Sequence, residues 1–92
     1  MKRIEIFANR SIQEDMFDAF AKAEIVKHYT LFPVVLGSGN SGPRMGDHIW
    51  PEENFSIIIY CEDEESVKIK NIIVELKKFF TNEGIKLFEI SV

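Results

Sequence analysis

The amino-acid sequence predicts an α+β fold of the ferredoxin-like βαββαβ type, an antiparallel four-stranded sheet with two helices on one face. Three observations predict it. Two segments repeat apolar residues at helical spacing, and four short segments are rich in β-branched and aromatic residues. The helical and strand segments follow one another in the order strand, helix, strand, strand, helix, strand. The 92 residues suffice for one domain, so we expect residues 1–92 to form a single unit.

The first strand and the first helix follow directly from the N-terminal pattern. Residues 3–8 alternate charged and bulky side chains, which predicts a strand. Ser11 followed three residues later by Glu14 is typical of a capping box, so a helix is expected to begin there and to end near residues 24–27. The predicted apolar stripe of this helix consists of Ile12, Met16, Ala19, Phe20 and Ala23.

Two more strands are predicted in the middle of the chain, one on each side of a long glycine-rich segment. Residues 28–36 predict the second strand, in which Pro33 must lie at an edge, a bend or a bulge because proline has no amide donor. Residues 55–61 carry the strongest strand signal of the chain.

The second helix and the fourth strand complete the pattern. Asp63 is a candidate N-cap, and Asn82 and Gly84 mark the end of the helix. Residues 85–92 predict the last strand. The apolar stripe of the second helix consists of Ile69, Ile72, Ile73, Leu76 and Phe80.

Apolar residues occur on both sides of the predicted strands, although two helices can cover only one sheet face. In the third strand Ile58 and Tyr60 lie on one side and Ile57 and Ile59 on the other, and Phe7 with Phe88 or Leu87 adds bulk to whichever face lacks helices. Leaving that face in water would forgo several kcal/mol at about 25 cal/mol per Å². We therefore expect a homo-oligomer, with a monomer that exposes an apolar sheet as the alternative.

Composition excludes several classes of partner. The net charge is −4 and the basic residues are scattered among acids, so no basic stripe is available for nucleic acid. The longest apolar runs are too short to insert into a membrane. Cys61 is the single cysteine, which excludes an internal disulfide, and the charged start MKRIE lacks the apolar stretch of a signal peptide. We expect a cytoplasmic protein.

The segment between the second and third strands, residues 37–53, is much longer than a hairpin requires and is predicted to be a flexible functional loop. Arg44 offers a fork of donors for a carboxylate or a phosphate. Asp47, His48 and Glu52 offer imidazole and carboxylate groups that suit zinc or copper, although no second His or Cys nearby completes the set. No nucleophile is paired with a base, so the sequence predicts a binding protein rather than an enzyme.

The whole chain resembles the nitrogen-regulatory PII-like signalling proteins. The resemblance is carried by the RIEIFA strand and the helix after it, by YTLFPVVLGSG leading into the loop, by WPEENFSIIIYCEDEE leaving it, and by the EGIKLF ending, and it covers nearly all 92 residues. It implies a homotrimer that binds a small effector in clefts between subunits. It also implies that the long loop, called the T-loop in this family, regulates a target such as a membrane transporter or a metabolic enzyme.

The resemblance also implies where the effector and the target bind. Gly37 and Gly39 stand where the family places glycines at the base of the T-loop, and the expected effector-binding set is Gly37, Ser38, Gly39 and Arg44. The expected partner-binding positions in the loop are Asn40, Ser41, Gly42, Pro43, Met45, Asp47 and Trp50.

The sequence departs from the family pattern after the second helix. FFTNEGIKLFEISV contains one glycine and no TGxxGDGK-like segment, so the resemblance implies adenine-nucleotide binding while this departure argues against it, and the effector stays open. Relatives of CutA type share the fold and the trimer and are linked to divalent-cation tolerance. A trimeric metal-binding protein that uses Asp47, His48 and Glu52 is therefore the alternative.

Overall fold

The computed structural model describes residues 1–39, 42–44 and 53–92, with the backbone alone at 39 and 42–44. A short 3-10 turn, Arg10–Ile12, connects the first strand to the first helix. The regular elements in chain order are β1 (Lys2–Asn9), α1 (Gln13–Lys22), β2 (Thr30–Val35), β3 (Gly37–Gly39), β4 (Gly42–Arg44), β5 (Asn54–Cys61), α2 (Asp63–Phe79) and β6 (Ile85–Ser91).

Four strands form one antiparallel sheet in the order β2-β5-β1-β6. The central strand β1 pairs with β5, where Ile4 lies opposite Ile59, and with β6, where Ile4 lies opposite Glu89. Both helices pack on the same face, because their buried residues join alternate residues of β1 and β5 in one hydrophobic core. The predicted α+β fold is confirmed.

The core is built from the side-chain periodicity of each element. Strand residues two apart and helix residues three or four apart point the same way, so each element contributes one apolar face. The predicted helical stripes are confirmed at their centres, since Met16, Phe20, Ile69 and Ile73 are all buried, whereas Ala23 is exposed. The strands contribute Ile4, Ile6 and Ala8 from β1 and Phe55, Ile57, Ile59 and Cys61 from β5.

Pro33 lies in an edge strand at an irregularity. β2 pairs only with β5, and the register of this pair shifts between Phe32 and Val35. The missing amide hydrogen of Pro33 is tolerated there because an edge strand has one side without a ladder partner. The position predicted for this proline is confirmed.

The caps predicted from the sequence were wrong. The N-cap of the 3-10 turn is Asn9, whose side-chain Oδ1 accepts a hydrogen bond from the Ser11 amide at 2.8 Å, and α1 then begins at Gln13 without a side-chain cap. Asn9 is extended at the end of β1, so it is the side chain placed to meet the first free amides. Likewise Asp63 lies inside α2 rather than at its N-cap, which is Glu62.

Part of the predicted loop has regular structure. β3 and β4 form a two-stranded antiparallel ribbon in which Gly37 pairs with Arg44 and Gly39 with Gly42. The flexibility predicted for residues 37–53 stays a prediction. Asn40, Ser41, Met45, Asp47, His48, Trp50 and Glu52 lie outside the described residues.

No helix within the described ranges is both long enough and apolar enough to cross a membrane.

Candidate functional site

One end of the sheet contains a groove of about 810 Å³, which we call the effector groove. It lies where β1 and β2 end and where β5 and β6 begin. The start of the long loop, Gly37 and Ser38, lines one part of it, and the turn between α2 and β6, residues 80–84, lines another. Sequence-distant segments therefore meet at one cavity.

The turn between α2 and β6 is held by backbone hydrogen bonds. The Phe80 amide donates to the Leu76 carbonyl at 2.8 Å and ends the helix, and the Glu83 amide donates to the Phe80 carbonyl at 3.3 Å. Thr81 and Asn82 are exposed between these two bonds. Their polar side chains are consequently available to a ligand in the groove.

The charged residues in the described lining favour an anion. Lys77 comes from the last turn of α2 and Lys86 from the start of β6, while Glu83 is the one carboxylate among them. Two ammonium groups and the hydroxyl and amide groups of Ser38, Thr81 and Asn82 provide hydrogen-bond donors for phosphate or carboxylate oxygens.

The groove also has an apolar part. Phe7, Leu36 and Phe80 line it together with Val35 and Ile85. The Phe80 ring is half-buried and contacts Phe79 edge-to-face, with the ring centroids 5.0 Å apart. An apolar wall beside convergent polar groups is the usual composition of a small-molecule site.

The structure brings two of the four predicted effector-binding residues to this groove. Gly37 and Ser38 line it, and a Cβ added at Gly37 would meet nothing within 4 Å, so the groove is open at that point. Gly39 continues β3, and the backbone of Arg44 in β4 pairs with Gly37. Gly42 and Pro43 belong to the same ribbon.

The residues that α2 and β6 contribute were not predicted from the sequence. A family-type glycine-rich segment is absent after α2, and Lys77, Thr81, Asn82 and Lys86 line the groove instead. The sequence does contain a signal, since Lys77 precedes and Lys86 follows the turn TNEG. To recognise a site there, one would also have had to predict that β6 begins beside the long loop.

The described residues contain no group of three His, Cys, Asp or Glu side chains that could hold a metal ion. The residues predicted for a metal, Asp47, His48 and Glu52, fall in the part of the chain without a described structure. His28 is exposed ahead of β2.

Cys61 is buried, as predicted for a small hydrophobic residue at the end of β5. Burial, and then the nearby Glu65 and Glu89 carboxylates, raises the pKa of its thiol. The thiolate form is therefore disfavoured, and a nucleophilic role for Cys61 is not supported.

The side of the sheet opposite the helices, here called the helix-free face, is apolar, as predicted. Phe7 and Phe88 contact each other on it with ring centroids 6.2 Å apart, whereas Leu87 packs against the core on the other side. Ser56 is nevertheless buried because the register places it between Phe7 and Phe32. The further large exposed side chains of this face are Phe32, Tyr60 and Ile90.

A polar cluster interrupts this apolar face. The Arg3 guanidinium donates to the Glu5 carboxylate and to the Tyr60 hydroxyl, with N···O distances of 2.9 and 2.8 Å. The hydrogen bond to Glu5, and to a smaller extent that to Tyr60, raises the pKa of Arg3 above its ordinary value, so the guanidinium is charged. The face therefore presents aromatic rings around an internally paired charge.

The sequence matches no protein-family model and no curated protein. Among solved structures, CPII from Thiomonas intermedia K12, a nitrogen regulatory PII-like protein bound to ADP, AMP and bicarbonate, is similar over 99% of this chain and 86% of its own, with a TM-score of 0.67 and 22% identity. A PII-like signaling protein from Thermus thermophilus has a TM-score of 0.70 at 15% identity and coverages of 99% and 85%.

The de novo designed protein Foldit4 also matches, over 99% of this chain and 97% of its own, with a TM-score of 0.59 and 14% identity. Because a designed chain shares the architecture, the architecture alone does not specify an activity. At these identities the comparisons establish the fold, and this chain has the fold of the PII-like proteins.

Proposed function

We propose that the protein is a PII-like regulatory protein, which acts by binding rather than by catalysis. In this proposal a small anionic effector occupies the effector groove, and the loop segment 38–50 carries the signal to a target protein. One observation carries the proposal: the start of that loop, Gly37 and Ser38, shares a cavity with Lys77, Lys86 and the turn that follows α2.

The chemistry of the groove supports an adenine nucleotide or bicarbonate as effector. Lys77 and Lys86 would pair with phosphate or bicarbonate oxygens, and Thr81 and Asn82 would donate further hydrogen bonds. Phe80 offers an apolar surface to a base. The similar protein CPII was solved with ADP, AMP and bicarbonate, which is the same class of ligand.

We further propose that the protein is a homotrimer in the cytoplasm. The apolar helix-free face is the surface that sister subunits would cover. Phe7 and Lys86, which are register partners on β1 and β6, belong both to this face and to the lining of the effector groove. A neighbouring subunit would thus close the groove into a cleft.

The proposed signal passes through the first residues of the loop. An effector that contacts Ser38 differently in two arrangements of the loop shifts their populations by its difference in affinity. Because β3 begins at Gly37, contact with the effector bears directly on how the ribbon of β3 and β4 leaves the sheet. The target, such as a transporter or an enzyme, then meets one arrangement of the loop.

Calorimetric titration with ADP, AMP and bicarbonate tests the proposal. We expect at least one of them to bind the wild-type protein and Lys86→Ala to weaken its binding by about tenfold or more, since a charge-assisted contact is lost. Lys68→Ala, which removes an exposed lysine outside the groove, is the matched control and should bind like the wild type. Binding that is equal in both variants would place the effector elsewhere.

The divalent-metal alternative is tested in the same instrument. Zinc or copper that binds the wild-type protein but not His48→Ala would favour the metal-binding trimer. The regulatory proposal instead predicts that effector binding does not depend on this imidazole.

A further inference from the structure

A second groove, of about 550 Å³, lies between the two helices, and we call it the interhelix groove. It is separate from the long loop, so its role does not depend on how residues 37–53 move. Its apolar lining consists of Ala19 on α1 and Ile72, Leu76, Phe79 and Phe80 on and after α2.

The apolar lining includes a side chain that folding leaves in water. Phe79 is 81% exposed, more than any other large hydrophobic residue in the described part of the chain. Phe79 is not part of the hydrophobic core, to which α2 contributes the buried residues Ile69 and Ile73. A phenyl ring at the mouth of an apolar groove is typical of an anchor for a binding partner.

The charges in the described lining of this groove are both negative. Asp15 on α1 and Glu75 on α2 line it, and Asp15 makes no ion pair with a described residue. The Glu75 carboxylate is 3.2 Å from the Lys78 ammonium, but the two side chains are 72% and 69% exposed, so this pair is weak and exchangeable.

We propose that the interhelix groove is a docking site for a basic amphipathic helical segment of a partner protein. Apolar side chains at helical spacing would fill the groove against Leu76 and Phe79, and Lys or Arg side chains on the flanks would pair with Asp15 and Glu75. Residues of both helices line the groove, and recognition of a helix in a groove buries one apolar stripe of that helix.

Charge also argues against the other occupants. A second copy docking symmetrically would bring the same two carboxylates of each subunit together, in a chain whose net charge is already −4. Nucleic acids and anionic membranes carry the sign of charge that Asp15 and Glu75 repel. A cationic protein segment is the partner that both the apolar lining and the acidic rim accept.

Two short labelled peptides test the proposal by fluorescence anisotropy. One has leucines at helical spacing with lysines elsewhere, and the other replaces every lysine with glutamate. We expect the lysine peptide to bind about tenfold or more tightly than the glutamate peptide. Phe79→Ser should weaken the lysine peptide, while Val74→Ser, a 50% exposed residue of the same helix outside the lining, should not.

Charge reversal separates a specific groove from general attraction to an acidic protein. Asp15→Lys combined with Glu75→Lys should exchange the preference, so that the glutamate peptide binds more tightly. The control pair Glu62→Lys and Glu64→Lys changes the net charge equally at the other end of α2 and should keep the lysine preference.

Three results would overturn the proposal. Equal binding of the two peptides would show that charge complementarity does not select the partner. Equal losses of affinity for the lysine peptide in Phe79→Ser and Val74→Ser would show that the peptide does not bind in the interhelix groove. Sedimentation in which Phe79→Ser abolishes self-association would show that a second copy occupies it. None of these results bears on the effector groove, which is tested separately with ADP, AMP and bicarbonate.

Discussion

The Asn9 side chain accepts a hydrogen bond from the Ser11 backbone amide, with an Oδ1···N distance of 2.8 Å. Asn9 is the last residue of β1 and is buried, and it also lines the effector groove. One side chain thus ends the central strand, begins the helical segment and forms part of the candidate site. Its contact links the stability of the fold to the geometry of the groove.

Replacing Asn9 should destabilise the protein more than replacing Ser11. Asn9→Ala removes the cap, and we expect the free energy of unfolding to fall by about 1 kcal/mol or more. Ser11→Ala should change it by less than about 0.5 kcal/mol, because Ser11 is exposed and contributes its amide, which alanine keeps. Urea denaturation measures both, and a larger loss for Ser11→Ala would contradict this assignment of the cap.

Glycine at position 24 should stabilise the protein. Glu24 has a φ of 57° where the chain leaves α1, and the Glu24 and Ile25 amides donate to the Ala21 and Phe20 carbonyls, the pattern of a Schellman cap. Because glycine adopts this conformation without strain, Glu24→Gly should raise the free energy of unfolding by about 0.5–1 kcal/mol.

A glycine in the middle of a helix is the control for that substitution. Lys68→Gly, at an exposed position of α2, should lower the free energy of unfolding by about 1 kcal/mol in the same denaturation experiment. If both substitutions destabilise, the left-handed backbone at Glu24 is not under strain.

The Lys70–Glu89 contact should make stability depend on acid pH. The Lys70 ammonium lies 2.9 Å from the Glu89 carboxylate, and their hydrogen bond holds the pKa of Glu89 below its ordinary value of 4.5. Protonation therefore favours the unfolded chain, so this contribution is complete above that value and is lost as the pH falls through the lower pKa of the folded state.

Melting curves at about pH 7 and about pH 3 test this dependence. Lys70→Met should lower the melting temperature at neutral pH, and the difference from the wild type should shrink at acid pH. Lys22 is a lysine in the last turn of α1, and for Lys22→Met the difference in melting temperature from the wild type should not shrink at acid pH. A difference that is constant with pH would exclude Glu89 as the group responsible.

Phe88 should be needed for the proposed trimer. It is 53% exposed in the single chain and contacts Phe7 on the helix-free face. Sedimentation of the wild type should give the mass of three chains, and Phe88→Arg should shift it towards one chain, because a charge would be buried without a partner.

Val67→Arg is the matched control for the oligomer, since Val67 is 52% exposed on α2, on the helical side of the molecule. It should leave the trimer intact. A wild-type protein that sediments as single chains at micromolar concentration would remove the intersubunit cleft from the proposed function.

The periodicity of the sequence determined the elements and the sides to which their residues point. Alternation in β5 separated Ile57 from Ile58, and helical spacing separated the buried Ile69 from the exposed Lys68. Both patterns depend on residues only a few positions apart, so the amino-acid sequence alone is sufficient to recognise them. The predicted strands, helices and apolar helix-free face are confirmed for this reason.

Only the tertiary structure decided which ends and edges meet. Ser11 has a capping side chain, but the path of the chain out of β1 places Asn9 at the free amides instead. The effector groove joins Gly37 to Lys77 and Lys86, which are 40 and more positions apart in the sequence. Such contacts depend on strand order and register, and these are set by the packing of the whole core rather than by any local pattern.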